Sequence, residues 1–290
     1  MRRFQKTQSL SREEGLVLVR VFVDLAQLDR PLLVPRLAVV RDRVDGRAVG
    51  PALCAAEPLE GGRKLASLDA DIIALQEVDD QARRSGSVDQ AAWLAEQLEM
   101  NSAYGSFMDF QGGRYGLAIL SRQPIVSHES WSLPEGNEPR VALATRLATD
   151  SGKEITAVAV HFDWVKDDGF RYAQALETIR QTRSLDTPWI ILGDFNDVPD
   201  SRTINAFEQT GRNAAKPEST AVTFPADEPT LEIDYIFTGP PGAWRPASAS
   251  VVFQTSKYFV TWIPYSVACT LVNFSFHPPS AHSALVPLAD

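Results

Sequence analysis

Apolar residues in this chain come in short bursts rather than long helical stripes. Residues 189–192 (Trp-Ile-Ile-Leu), bounded by Pro188 and Gly193, are too short a run for a helix and predict a fully buried strand. Similar runs predict strands over 16–23, 72–78, 115–120, 140–147, 155–161, 233–237, 247–253 and 283–288. The turn residues Asp150, Ser151, Gly152 and Lys153 pair two of these as a hairpin. Helical spacing appears three times. Residues 88–100 carry Ala91, Ala92, Leu94, Ala95 and Leu98. A helix capped by Asp167 or Asp168 runs to about 183, with Phe170, Ala173, Leu176 and Ile179 on one face. Residues 201–209 are stopped by Gly211. Many strands with few helices predict an α+β protein: two packed sheets flanked by helices. The period fades over 30–63, where Pro31, Pro35, Pro51 and Pro58 interrupt it, and in an aromatic stretch at 254–279. The chain therefore divides into a divergent N-terminal region, 1–63, open to partial disorder, and a domain over 64–290 carrying an aromatic insertion at 254–279.

Composition narrows the classes. A chain of 290 residues with 44% hydrophobic content can bury a sizeable core. A net charge of −9 argues against a broad basic surface for nucleic acid and suits a small or metal-neutralised substrate. Cys54 and Cys269 are far apart and form no CxxC pair, so a structural zinc site is not expected, and free thiols in a reducing compartment are. No apolar run reaches membrane-spanning length, and Arg20 interrupts the only early candidate for a signal core. A cytoplasmic location is expected, and the sequence carries no marker of oligomeric state.

The polar residues at strand ends hold the candidate chemistry. Glu77, His161, Asp194 with Asn196, and Asp234 each close a predicted strand, and His282 precedes the last one. Taken alone, Asp194 and Asn196 serve equally well as caps for the helix starting near Ser201. Taken together, carboxylate oxygens with open positions suit Mg²⁺ or Mn²⁺. Such an ion stabilises charge on a phosphate oxygen while an Asp orients the attacking water. Imidazolium and carboxamide groups donate to the equatorial oxygens. Asp197 reads as shaping the turn into Pro199, Asp163 as a solvated loop residue, and His128 and His277 as surface or core histidines.

Six segments in order carry a resemblance. They are Leu75-Gln76-Glu77-Val78, residues 115–122 (Tyr-Gly-Leu-Ala-Ile-Leu-Ser-Arg), His161-Phe162-Asp163, Gly193-Asp194-Phe195-Asn196, Ile233-Asp234-Tyr235-Ile236 and Ser280-Ala281-His282. Their combination resembles the endonuclease/exonuclease/phosphatase superfamily, which includes deoxyribonuclease I, over about residues 65–252 and again at the last ten. The resemblance implies a four-layer α/β/β/α sandwich of two mainly antiparallel sheets. It implies a hydrolase that cleaves a phosphodiester or phosphomonoester by in-line attack of an activated water, with Mg²⁺ (or Mn²⁺) as cofactor. In that scheme Glu77 is the metal ligand and Asp194 orients or deprotonates the water. Asn196 stabilises the transition state and His161 binds the scissile phosphate. His282 stabilises or protonates that phosphate, and Asp234 holds the His282 imidazole. Arg140 and Tyr115 are additional candidates.

Two departures matter. The family opens with a strand ending in Asn, yet no Asn precedes Asn101, and Asp24 is the nearest candidate for that place. The family ends in Ser-Asp-His, and Ala281 replaces the Asp. Loss of such groups commonly costs about 10²- to 10⁴-fold in rate. Three readings follow. The first is a phosphoesterase acting on a phosphorylated small molecule or lipid headgroup. The second is a catalytically impaired member that binds a ligand or a protein. The third is a nuclease on single-stranded or damaged nucleic acid, whose aromatics stack on bases.

Overall fold

The computed structural model describes residues 15–19, 36–43, 65–66, 69–216, 221–225, 229–255 and 266–276. Among them the strands gather into two sheets. The larger contains β1 (Gly15–Val19), β2 (Arg36–Arg43), β3 (Ile72–Asp80), β4 (Asn101–Phe110), β5 (Gly113–Ser121), β12 (Trp244–Thr255) and β13 (Ser266–Phe276), in the order β1-β12-β13-β2-β3-β5-β4. The smaller contains β6 (Ile125–Ser132), β7 (Val141–Ala148), β8 (Glu154–His161), β9 (Trp189–Asp194), β10 (Arg212–Asn213) and β11 (Asp234–Gly239), in the order β10-β11-β9-β8-β7-β6. Pairing is antiparallel except for β1–β13, β2–β3 and β8–β9. A parallel pair needs a crossover. The one between β8 and β9 contains helix α2 (Gly169–Thr182).

Side-chain alternation sorts the core into layers. Along β3, Ile72 and Ala74 join Leu117 and Ile119 of β5 in the space between the sheets, facing Leu143, Ala159, Leu192 and Ile236 of the smaller sheet. Ile73 and Leu75 point the other way, onto Ala91, Leu94 and Ala95 of helix α1 (Gln90–Leu98). On the far side, Val158, Val160, Ile191 and Phe237 pack against Ala175 and Ile179 of α2 and Ile204 of helix α3 (Arg202–Glu208). The order is therefore α/β/β/α, as the sequence resemblance implies. Each fully buried large apolar side chain contributes about 1.5–3 kcal/mol. Among the described residues no helix is long and apolar enough to cross a membrane.

The structure corrects several local expectations. α2 does not bury Phe170 and Leu176, which are 41% and 45% exposed. Its inner face carries Arg171, Gln174, Ala175, Thr178, Ile179 and Thr182. Those polar groups are tolerated there because they are paired: Gln174 holds the Asp163 N–H and the Pro134 carbonyl, and Thr178 Oγ1 donates to the Gln174 carbonyl. A count of apolar residues alone picks the wrong face. Asp168 stands at the N-cap of α2 but makes no side-chain cap bond, and grips Arg202 of α3 instead. Asp167 accepts the Gly169 N–H at 2.9 Å. β4 and β6 leave no mark in the hydrophobic pattern. β4 is punctuated by Gly105 and serines, and β6 is a mostly exposed edge strand. Residues 1–63 contribute β1 and β2 to the larger sheet, and 254–279 contribute β13. The strand expected over 283–288 lies outside the described residues.

Candidate active site

Three of the strand-end residues form one row across the smaller sheet. His161 is the register partner of Asp194 on the parallel neighbour β9, and Asp194 is the partner of Asp234 on the antiparallel neighbour β11. Each shares the parity of a residue between the sheets: Ala159, Leu192 and Ile236 respectively. All three are therefore on the side facing the larger sheet, and all are buried. The next residues, Phe162, Phe195 and Tyr235, turn to the helical side and pack edge-to-face, with Phe195 at 5.3 Å from Phe162 and 5.4 Å from Tyr235. This aromatic floor fixes the backbone from which the row projects. Gly193 does not end β9, which runs through it to Asp194. Its φ is +149°, and an added Cβ would stand 2.1 Å from the Val160 carbonyl oxygen, so only glycine fits.

Hydrogen bonds orient the row. Asp194 Oδ1 accepts the Asn196 N–H at 2.8 Å, with Asn196 in the left-handed region at φ +50°. One N–H of the Asn196 amide donates to the Phe162 carbonyl at 2.8 Å, which leaves the second N–H for another acceptor. The other Asp194 oxygen, Oδ2, is 3.5 Å from His161 Nε2. Arg140 Nη1 meets His161 Nδ1 at 3.4 Å. A guanidinium only donates, so Nδ1 is assigned as acceptor and the ring proton to Nε2, facing Asp194. Arg140 is itself buried, donating to Glu138 at 2.9 Å and lying 5.0 Å above the Phe107 ring. Lys216, also buried, donates to the Asp234 carbonyl at 2.6 Å and pairs with Glu232 at 2.7 Å. Its ammonium also lies 5.0 Å from the centre of the Tyr235 ring.

The larger sheet answers with a different device. Between Leu75 and Val78 the register of β3 on β5 slips, so Gln76 and Glu77 occupy a bulge and Glu77 takes φ +60°. Leu75 and Val78 both face α1. The two residues between them thus sit on the side of the smaller sheet, and the bulge re-aims Glu77 towards it. A second slip on β4, between Ser106 and Met108, marks a bulge at Phe107. Phe107 stands edge-on to Tyr115 at 5.0 Å. Burial first, and then the Glu77 carboxylate, hold the Tyr115 proton on well past the usual tyrosine range. The contacts His161–Arg140–Phe107–Tyr115 therefore run from the row to the larger sheet, where Tyr115 lies on β5 opposite the end of the Glu77 bulge.

Other predicted residues divide. Ser201 caps α3, accepting the Ile204 N–H, so Asp194 and Asn196 are not its caps. Asp163 is not solvated. It is fully buried, and its Oδ2 accepts the Asn137 N–H at 2.6 Å while Oδ1 accepts the Val165 N–H at 3.1 Å. It clasps the loop before Arg140 to the loop after His161. Asp197 shapes its turn as expected, accepting the Val198 N–H, and also pairs with Arg171 of α2 at 3.0 Å. Asp24, His282, His277 and Ala281 lie outside the described residues. The strand beside β3 is β2, with Arg41 the partner of Gln76, so the next residues along the two strands are Asp42 and Glu77. β2 is hidden in the pattern because Pro31 and Pro35 crowd its start and its arginines interrupt the apolar run.

Sequence reasoning missed Arg84 and Lys216. Lys216 leaves no signal, being one lysine in a polar loop. Arg84 has a faint one, a basic doublet at Arg83–Arg84 just past the acidic doublet Asp79–Asp80. Burial would lower the Arg84 pKa, but the Asp79 carboxylate outweighs it and the net direction is up.

The donor set was tested against a hard divalent ion. Mg²⁺ is held by one or two carboxylates and keeps several waters. Glu77 is a re-aimed carboxylate in the gap between the sheets, and among the described residues no group of three or more His, Cys, Asp or Glu forms a cage. The Glu77 carboxylate is a hard oxygen donor of the type such ions take.

Two mainly antiparallel sheets packed face to face between helices, with acidic and histidine side chains meeting at one end of both, define a deoxyribonuclease I-like sandwich. The pattern of the Endonuclease/Exonuclease/phosphatase family matches residues 62–263, and the chain belongs to that family. It is 28% identical over 199 residues to the uncharacterized protein YbhP of Escherichia coli K12, covering 63% of this chain and 77% of YbhP. An endonuclease/exonuclease/phosphatase from Bacteroides vulgatus superposes with a TM-score of 0.65 at 19% identity, covering 85% of this chain and all of that one. A mannosyl-6-phosphatase from Bacteroides thetaiotaomicron superposes with a TM-score of 0.58 at 16% identity, covering 84% and 99% of the two chains.

Proposed function

We propose that the protein is a Mg²⁺- or Mn²⁺-dependent phosphoesterase that hydrolyses a phosphodiester or phosphomonoester by direct attack of water on phosphorus. The observation that carries this reading is the register row His161–Asp194–Asp234 facing the bulged Glu77. Glu77 would hold the ion, which would stabilise charge on a phosphate oxygen. Asp194, whose Oδ1 accepts the Asn196 N–H, would orient the water and take its proton. The second amide N–H of Asn196 would donate to a non-bridging oxygen, where charge accumulates, and His161 would bind beside it, its Nε2–H shared between Asp194 and the phosphate. Arg140 adds charge behind His161 and fixes its tautomer. Asp234 would hold the imidazole of His282. Family membership and the sugar-phosphatase neighbour support the same reaction class; the substrate here is read as a phosphorylated small molecule or lipid headgroup because the chain is acidic overall.

The test is a substrate panel. Purified protein is assayed with Mg²⁺ or Mn²⁺ against an activated phosphodiester, sugar, inositol and lipid phosphates, and single-stranded DNA and RNA, with Asp194→Ala alongside. Metal-dependent turnover of small phosphoesters, lost in Asp194→Ala, is expected. Turnover confined to nucleic acid would replace the substrate class, and no turnover above Asp194→Ala would remove the enzyme reading.

A further inference from the structure

Gln76 precedes Glu77 in the β3 bulge. It shares the parity of Ile72 and Ala74, which lie between the sheets, and opposes that of Ile73 and Leu75, which lie against α1. Its side chain is therefore directed into the gap, one strand repeat beyond Ala74. In the facing sheet His161 and Asp194 stand one repeat beyond Ala159 and Leu192. Both sheets present these residues at the same end. Tyr115, the partner of Asp79, meets Phe107; Phe107 meets Arg140; Arg140 meets His161. Gln76 is only 2% exposed, and among the described residues neither its Oε1 nor its Nε2 has a hydrogen-bond partner. Burying a carboxamide unpaired is costly, and an apolar side chain of similar length avoids the cost. A polar group kept there against stability marks a place where function outweighs it. Thr145 Oγ1 is also buried without a partner in this gap, but deeper: Thr145 pairs with Ala157 of β8, well before His161.

We propose that Gln76 is a binding residue of the metal half-site, its Oε1 presented to the divalent cation that Glu77 holds, or to a water of that ion. The proposal rests on the phosphoesterase reading, in which Glu77 holds the ion. Three observations converge on it: the two residues share one bulge, the Gln76 side chain enters the gap, and its amide is unpaired there. Mg²⁺ and Mn²⁺ take hard oxygen donors and keep several waters. The hydrogens of those waters need acceptors. A carboxamide oxygen serves as donor to the ion or as acceptor for its water. It does so without a further negative charge, which would repel an anionic phosphoester. Thr145, out of reach of the row, has no such partner and reads as a packing residue.

The experiment measures Mn²⁺ binding directly, by the loss of the free-ion electron paramagnetic resonance signal, in wild type, Gln76→Met, Gln76→Glu and Thr145→Val. Thermal unfolding is recorded for each, with and without Mn²⁺. Gln76→Met keeps the chain length and removes the amide. It is expected to weaken Mn²⁺ binding by about tenfold, while its metal-free thermal midpoint holds or rises. Gln76→Glu should bind Mn²⁺ more tightly than wild type, because a second carboxylate joins the ion. Its metal-free midpoint should fall, since two adjoining carboxylates are then buried, and Mn²⁺ should restore it. Thr145→Val should keep wild-type Mn²⁺ affinity and hold or gain stability. Wild-type affinity in Gln76→Met, no tightening in Gln76→Glu, or an equal loss in Thr145→Val would overturn the proposal. So would a Gln76→Met protein that fails to fold, because the amide would then be structural. Metal-dependent turnover by wild type, measured separately, keeps the two claims apart. Turnover with unaltered variant affinities sinks the Gln76 assignment alone, and absence of both turnover and Mn²⁺ binding in wild type sinks it together with the phosphoesterase reading.

Discussion

The two halves of the candidate site are built by opposite means. On the smaller sheet, His161, Asp194 and Asp234 keep perfect register, and the ladder itself sets their spacing. On the larger sheet, Glu77 reaches the same gap only because the ladder fails, at a bulge with a left-handed glutamate. A regular row is fixed by backbone hydrogen bonds on both sides, whereas a bulge residue leaves the ladder and depends on side chains to aim it. The row therefore needs little support beyond its floor of aromatic rings. Beside the Glu77 bulge stands Tyr115, with Phe107 edge-on to it and Arg84 over its ring.

That contrast makes the largest predicted effect a difference between variants. Asp194→Ala should lower the turnover number by about 10²- to 10⁴-fold, with no recovery at any Mg²⁺ concentration. Glu77→Gln should show a comparable loss at low Mg²⁺ that recovers in part as Mg²⁺ or Mn²⁺ is raised, since a weakened ligand is opposed by mass action. Metal titration of initial rates separates them. Equal rescue of both, or of neither, would erase the distinction between row and bulge.

Smaller effects probe what holds each half. Asp163→Ala removes a buried acceptor of several loop N–H groups and should cost about 2–4 kcal/mol in urea unfolding. The activity loss should exceed that of an equally destabilised core variant, because the Arg140 loop is released. On α2 the inner and outer faces should behave oppositely. Ile179→Ala is expected to cost about 2–4 kcal/mol, and Phe170→Ser within about 0.5 kcal/mol of zero. The reverse order would restore the face the apolar pattern predicts.

The smallest effect concerns pH. Hydrogen bonding to Arg202 lowers the Asp168 pKa in the folded protein. A lowered folded pKa means the pair stabilises the fold above the ordinary carboxylate pKa and loses that contribution as pH falls through the depressed value. Asp168→Asn should therefore be slightly less stable than wild type at pH 7, with the gap closing below about pH 4. A gap that widens on acidification would refute the sign.

Legibility in the sequence follows the same division. His161 and Asp194 are readable because each closes an apolar run; Asp234 opens β11 rather than ending a strand, and register brings it to the same face. Glu77 was readable as a strand end, but its bulge was not, since nothing in Leu-Gln-Glu-Val announces a left-handed residue. Arg84 and Lys216 were hidden because their roles depend on partners far along the chain: Phe110 and Tyr115 for one, Asp234 for the other. The clasping role of Asp163 was hidden for a related reason. It holds backbone N–H groups more than twenty residues away, which no local pattern encodes. The sandwich is legible from alternation in the central strands, and illegible at the mostly exposed edge strand β6 and over 30–63, where prolines and arginines break the apolar pattern.

The central claim is that water, handled by Asp194, attacks phosphorus in a metal-dependent reaction. Single-turnover hydrolysis of an activated phosphodiester in ¹⁸O-labelled water tests it most directly. The account predicts one solvent oxygen on the phosphoryl product, none in the released alcohol, and a reaction abolished by EDTA and restored by Mg²⁺. Label in the alcohol, or turnover that persists at full rate under EDTA, would contradict it.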